Sequence, residues 1–304
     1  MRFAHRYALL FAGLLLSPGA ALADTAIGPK TYAAQAVRID HLVGTLRVEV
    51  RPDGPLEVVL QGDKDMVEDI SVRVEGDTLL IERERSLLDW PPEDLFKWRD
   101  RYPIVTLRVP PGTPFDIDTM IGRATVGDLN AELRLGTGAL DAEIGDVTDA
   151  KVRLSGMGDI RIGRVRGNLQ VEIAGSGNLD VKAAEAAEIT VSGSGDVTLG
   201  PVARGLTFKI SGSGNVDVAE VHGPVEGWIN SSGRVSVRGG AADPLRLRIN
   251  GSGDFTLDGE AVEPDLSVNG SGKIRLGAYR GTIRLRTFTG TLTPQPGGGL
   301  LVAE

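Results

Sequence analysis

The sequence predicts an all-β protein: a parallel β-helix (β-solenoid) with coils of about 19 residues and an irregular, strand-rich N-terminal cap. Three observations predict it. A five-residue, glycine-rich turn occurs seven times between Ser155 and Lys273, and the intervals between first residues are 19, 18, 19, 19, 20 and 19. Apolar residues alternate on both sides of each turn. A nearly fixed period of this length is typical of solenoids, in which each repeat is one layer.

We call these turns corners. They are Ser155–Asp159, Ala174–Asn178, Ser192–Asp196, Ser211–Asn215, Asn230–Arg234, Asn250–Asp254 and Asn269–Lys273. Most read Gly-Ser-Gly at their centre, and we expect these glycines to allow positive φ at a sharp bend. The last three corners begin with asparagine, which predicts a stacked amide ladder.

The flanking residues predict two strands in each coil. Core positions lie three and one residues before each corner, and five and seven residues after its first residue. Of these 28 positions 27 are apolar, and the exception is Gly227. Alternation with a period of two indicates strands with one buried face. Stacked in parallel, such layers lie about 4.8 Å apart and satisfy one another's backbone groups.

The N-terminus resembles an export signal. Arg2 and Arg6 precede the apolar stretch 8–16, and Ala21-Leu22-Ala23 offers a cleavage site before Asp24. The apolar stretch is too short to span a bilayer. We therefore expect an exported protein, either periplasmic or secreted, from a Gram-negative cell envelope.

The sequence pattern divides the chain into five segments. We predict a signal peptide at 1–23, an N-terminal linker at 24–36, and a strand-rich capping region at 37–110 with an aromatic excursion at 86–102. Solenoid repeats are expected at 111–290 and a flexible tail at 291–304, which is rich in proline and glycine.

Composition limits the partners. The formal charge of −8 becomes −10 once Arg2 and Arg6 are removed, which disfavours nucleic acid and anionic membranes as partners. No later apolar run has spanning length, so we do not expect the mature chain to span a membrane. The sequence contains no cysteine, which excludes disulfides and cysteine-ligated metals.

The motifs do not predict catalysis, a metal or a cofactor. Beyond the signal only His41 and His222 occur, and neither belongs to a nucleophile motif. The last corner residues include Arg234 and Lys273, which a cation would avoid. One alternative is a polysaccharide-active β-helix enzyme that uses the outward Asp180 and Asp217, which are expected two coils apart.

Five residues are candidates for partner binding. Trp228 follows Gly227 and is flanked in the neighbouring coils by Lys209 and Arg248. An outward Trp228 could stack on a sugar or anchor a protein, whereas a local bulge at Gly227 could turn it into the core. Trp90 and Trp98 lie in the aromatic excursion. They either seal the flank or end of the solenoid, which we favour, or form a contact surface.

The opening strands together with the corners resemble a known family. Leu56–Asp63, the stretch Pro103–Val109 and the Gly-Ser-Gly-Asp/Asn corners are similar to the bacterial autotransporter adhesin head domains, also called GIN domains. The resemblance covers roughly residues 37–290. It implies a β-helical envelope protein with no established activity or catalytic residues.

The sequence therefore predicts a non-catalytic, exported scaffold that recognises an envelope component, either glycan or protein. A passive structural or assembly role in the periplasm is the other alternative.

Overall fold

The structure is a computed structural model that describes residues 25–83, 102–287, 291–295 and 298–303. These residues are nearly all-β, with one short helix, α1 (Lys64–Glu68). The first nine strands are β1 (Thr25–Tyr32), β2 (Ala36–Asp40), β3 (Leu42–Val50), β4 (Leu56–Gly62), β5 (Ile70–Glu75), β6 (Thr78–Arg83), β7 (Ile104–Val109), β8 (Phe115–Ile117) and β9 (Met120–Val126).

The remaining strands belong to the repeats and the C-terminus. They are β10 (Leu133–Ile144), β11 (Ala150–Met157), β12 (Asp159–Ile173), β13 (Asn178–Val191), β14 (Val197–Val202), β15 (Leu206–Ile210), β16 (Asn215–Ile229), β17 (Arg234–Val237), β18 (Gly240–Asn250), β19 (Asp254–Val262), β20 (Asp265–Asn269), β21 (Lys273–Arg280), β22 (Arg284–Thr287), β23 (Thr291–Gln295) and β24 (Gly299–Ala303).

The coils stack in parallel, so the prediction of a parallel β-helix with about nine turns of roughly 19 residues is confirmed. Strand segments that precede successive corners pair with each other, as in Ile189 with Phe208, and we call this the pre-corner sheet. Segments that follow the corners pair likewise, as in Val197 with Val216, and form the post-corner sheet. Each coil contributes one strand segment to the pre-corner sheet and another to the post-corner sheet.

The interior of the stack is apolar. All 27 apolar positions predicted for the core are buried, and none is more than 6% exposed. Removing these aliphatic side chains from water is the main stabilising contribution in a chain that lacks disulfides.

The corner glycines have two causes. Gly158, Gly251 and Gly270 adopt the predicted positive φ, whereas Gly193 and Gly212 do not. Instead, a Cβ at Gly212 would lie 1.8 Å from the carbonyl oxygen of Gly193 in the preceding coil, and a Cβ at Gly193 would lie 2.0 Å from that of Gly175. Close stacking of backbone on backbone therefore requires glycine here.

The first coil begins earlier than the sequence predicts. β2 and β3 pair in parallel with β8 and β9, so residues 36–50 form a coil of the solenoid. On their other side they pair in parallel with β6 and β7. The cap is the insertion between β3 and β8. Position 41 between β2 and β3 is His41 with φ of 49°, so the glycine signature of a corner is missing.

Both ends of the chain pair with the stack. β1 falls within the segment predicted as a linker, and it pairs antiparallel with β4, which pairs antiparallel with β7. β5 pairs antiparallel with β6. In the predicted flexible tail, β23 and β24 form a hairpin, and β24 pairs antiparallel with β21. The sheet edges attract these segments because their backbone groups would otherwise be unpaired.

Candidate binding surface

The outward side chains of the last coils form two columns on the pre-corner sheet. Backbone pairing places Lys209, Trp228, Arg248, Ser267 and Arg286 in one column. The second column contains Thr207, Glu226, Arg246, Asp265 and Arg284. Neighbours within a column are about 4.8 Å apart, which is the strand spacing. We call these ten residues the Trp228 face.

Trp228 points outward. The pairing of residues 225–229 with both neighbouring strands is unbroken, so there is no bulge at Gly227. Gly227 is buried and Trp228 is half-buried, as strand alternation requires. The structure therefore places Trp228 on the surface and does not support the inward alternative.

The ring of Phe208 occupies the space that Gly227 leaves in the core. A Cβ at Gly227 would lie 2.1 Å from Cζ of Phe208. The missing side chain of one coil is thus replaced by the ring of the preceding coil, and Trp228 is not needed to fill the gap.

The Trp228 face is positively charged on an acidic chain. Five cationic residues stand against Glu226 and Asp265, which leaves a net charge of +3, whereas the whole sequence carries −8. All five cations are exposed. The cations are Lys209, Arg246, Arg248, Arg284 and Arg286.

Ion pairing distinguishes these cations from other arginines of the described chain. Among the described residues, none of the five forms an ion pair, although many other arginines do. Earlier on the same sheet, for example, Arg153 Nε lies 3.2 Å from Glu172 Oε2. The charge of the Trp228 face is therefore available to a ligand.

A shallow depression lies beside Trp228. Its lining residues are Glu226, Gly227, Trp228, Arg246, Leu247, Arg248, Asp265, Ser267 and Arg286. The sequence expectation named only Lys209 and Arg248 around Trp228. The missed residues could have been found by counting two positions further back from each corner, and by extending the period to the coil of β22.

Trp90 and Trp98, the other two predicted binding residues, lie outside the residues that the structure describes.

The post-corner sheet carries the two aspartates of the enzyme alternative. Asp180 pairs with Thr198, and Thr198 pairs with Asp217, so the carboxylates are two coils apart as expected. All three side chains are exposed. The two carboxylates therefore face solvent on an open sheet.

The corner residues form hydrogen-bonded ladders. Asn178 Nδ2 donates to Asp159 Oδ1 at 3.0 Å, and Asn215 Nδ2 donates to Asp196 Oδ1 at 2.9 Å. Asn250 Nδ2 donates to Asn230 Oδ1 at 2.9 Å, which confirms two members of the amide ladder. Within the described ranges, no three acidic or histidine side chains gather in a way that could hold a metal ion. The corners thus hold adjacent coils together.

Among the residues that the structure describes, no helix has the length and apolar character to cross a membrane.

Comparison with known sequences gives the family. The family described as "Putative auto-transporter adhesin, head GIN domain" matches residues 40–221 and 207–282. The chain belongs to the GIN-domain family. This confirms the resemblance that the strands and corners indicate. No curated protein sequence matches the GIN-domain protein.

The chain is also similar to solved structures. A crystal structure described as a putative adhesin from Bacteroides fragilis is 14% identical, with 87% of this chain and 98% of that chain covered and a TM-score of 0.53. A putative adhesin from Parabacteroides distasonis is 13% identical, with 86% and 96% covered and a TM-score of 0.44. A putative lipid binding protein from the same organism is 16% identical, with 86% and 95% covered and a TM-score of 0.38. At 14% identity the likeness to the Bacteroides fragilis structure concerns the fold alone.

Proposed function

We propose that this GIN-domain protein is an exported, non-catalytic recognition protein that binds a component of the cell envelope or surface through the Trp228 face. The observation that carries the proposal is Trp228 itself. A half-buried tryptophan points outward between Lys209 and Arg248, neither of which has an acidic partner among the described residues. Aromatic and arginine side chains of this kind dominate binding surfaces.

The family description supports the adhesion-like role, because it names an adhesin head domain. The open geometry of the aspartate pair supports a role without catalysis, since an inverting glycosidase needs its two carboxyl groups on either side of a bound sugar. Asp180 and Asp217 lie on one exposed sheet, and Thr198 separates them.

A screen of polysaccharides for binding tests the proposal. The purified protein, Trp228→Ala and Tyr279→Ala are compared, and new reducing ends are assayed in the same wells. Tyr279 is a matched control, because it is an exposed aromatic residue outside the Trp228 face. We expect binding that Trp228→Ala abolishes and Tyr279→Ala retains, without release of ends.

Two results would contradict the proposal. Release of reducing ends that Asp180→Asn abolishes would assign the enzyme role. Absence of any ligand, together with self-association of the protein, would favour the passive structural role.

Export is tested separately. The signal pattern before Asp24 supports it. Cells that express the full sequence should contain mature protein that begins at Asp24 in the periplasmic fraction or the medium, as N-terminal sequencing would show. Recovery of the uncleaved chain from the cytoplasm would contradict it.

A further inference from the structure

The cations of the Trp228 face recur at a fixed interval. In the first column, Lys209, Arg248 and Arg286 alternate with Trp228 and Ser267. Cations two coils apart are about 10 Å from each other, because each coil adds about 4.8 Å. The face thus presents one positive charge for every two coils along the solenoid axis.

The second column repeats this interval. Arg246 and Arg284 are also two coils apart, and Asp265 lies between them. Because Glu226 and Asp265 balance Arg246 and Arg284, the net positive charge lies in the first column, which forms a basic strip along the axis. A strip of this kind fits an extended, linear polyanion better than a compact anion.

Trp228 indicates the chemistry of the polymer. Its ring lies between two cations, so a ligand must offer an apolar, flat group between two negative charges. A sugar ring does this with its axial C–H face, and tryptophan is the aromatic side chain that combines the largest apolar surface with a polar edge. Two sugars of an extended glycan also span about the distance of two coils.

Nucleic acid fits less well. Its phosphates follow one another without neutral spacers, whereas the cations of the basic strip alternate with Trp228 and Ser267, and Glu226 and Asp265 lie beside them. Single-stranded nucleic acid also needs aromatic platforms for successive bases, and Trp228 is the only aromatic residue of the Trp228 face.

We propose that the Trp228 face binds a linear acidic polysaccharide that carries one anionic group on every second sugar and lies along the solenoid axis. Lys209, Arg248 and Arg286 bind successive anions, and the neutral sugar between the first two stacks on Trp228. This inference rests on the proposed function, because it names the ligand class of the same face.

Hyaluronan oligosaccharides test it, because they carry a carboxylate on every second sugar. Carboxyl-reduced hyaluronan of the same length is the neutral probe. We expect the full protein to bind the octasaccharide at low salt and the reduced octasaccharide at least tenfold more weakly, since hydrogen bonds to charged groups contribute strongly. Affinity should fall as salt rises, because the cations are exposed.

Variants test the spacing. Arg248→Gln should weaken tetrasaccharide and octasaccharide about tenfold or more. Arg286→Gln should weaken binding of the octasaccharide and leave binding of the tetrasaccharide unchanged. The tetrasaccharide has only two carboxylates, and these bind Lys209 and Arg248. Arg153→Gln is the matched control: Arg153 lies on the same sheet but is paired with Glu172, and its loss should change neither affinity.

The inference would be overturned by equal binding of reduced and native oligosaccharides, by equal loss in the Arg153→Gln control, by tighter binding of single-stranded DNA of equal charge, or by no binding of hyaluronan. Circular dichroism of each variant excludes misfolding as the cause. Binding of neutral glycans that depends on Trp228 would overturn this inference and leave the proposed function intact. Absence of any ligand, together with self-association of the protein, would overturn the proposed function itself.

Discussion

The rings of Phe208 and Phe255 stack with centroids 6.0 Å apart and planes 10° from parallel, although a whole coil separates the two residues. The intervening coil contributes Gly227 where its neighbours contribute larger side chains. The Phe208 ring fills that position, which brings it within stacking distance of Phe255. The missing side chain at Gly227 thus allows the rings of Phe208 and Phe255, from the coils on either side, to stack.

Gly227→Ala should destabilise the protein by about 1–3 kcal/mol, because the added methyl group overlaps the Phe208 ring and overpacks the core. Thermal or urea unfolding followed by circular dichroism measures the loss. In a Phe208→Leu background the same substitution should cost clearly less, since the ring that it meets is absent. Equal costs in both backgrounds would show that the ring does not cause the overlap.

Gly212→Ala should destabilise the solenoid, because its Cβ would lie 1.8 Å from the carbonyl oxygen of Gly193. Gly138→Ala is the control: a Cβ there meets nothing within 4 Å. This second change should be neutral or stabilise by about 0.4–1 kcal/mol through the unfolded chain. Similar losses of stability in both variants would indicate that glycine is needed for its backbone freedom and not for close packing between coils.

Arg83→Met should destabilise the N-terminal cap by about 3–5 kcal/mol, because it removes the buried guanidinium that donates a hydrogen bond to Asp69. Arg83 Nε lies 2.8 Å from Asp69 Oδ2, and both side chains are less than a tenth exposed. Arg134→Met removes the partner of Glu132 from an exposed pair and should cost at most about 1 kcal/mol. Differential scanning calorimetry compares the two, and equal shifts would contradict the prediction.

Acid should weaken the contact between the first coil and the cap through Glu49. A hydrogen bond from Arg108 lowers the pKa of Glu49 below its usual value of 4.5. A lowered pKa in the folded state means that the stabilisation is present above pH 4.5 and is lost as the pH falls through the folded pKa. Because Glu49 is half-exposed, the effect should be below about 1 kcal/mol.

Glu49→Gln tests this contribution. Its unfolding midpoint should depend less on pH below 4.5 than that of the natural sequence, with a difference that shrinks at high salt. Glu132→Gln, in an exposed pair elsewhere, is the comparison. An unchanged pH profile in Glu49→Gln would rule out the contribution.

The sequence predicts the regular coils well because their signals are local. Alternation and corners determine the core from Val152 to Leu276, and every apolar position predicted there is buried. The first coil could not be found in this way. Val37 pairs with Phe115, and an insertion lies between them in the sequence, so no fixed period connects the two.

The candidate site was only partly predictable. The period identifies Lys209 and Arg248 as neighbours of Trp228, but the orientation of Trp228 depends on how the core tolerates Gly227. That depends on the Phe208 ring in another coil. Whether a cation has a partner also depends on side-chain geometry that the period does not determine.

The insertion between β3 and β8 has a consequence for how the chain acquires its fold. Val37 and Leu42 pair with Phe115 and Met120, so their coil is fully paired only after these later residues have been synthesised. During synthesis the earliest strands therefore remain unfinished while the cap emerges. Folding should therefore begin in the later coils. Each contact there joins residues about nineteen positions apart, so closing the loop between them costs less entropy. We expect the amino-terminal layer to assemble last, although it is made first.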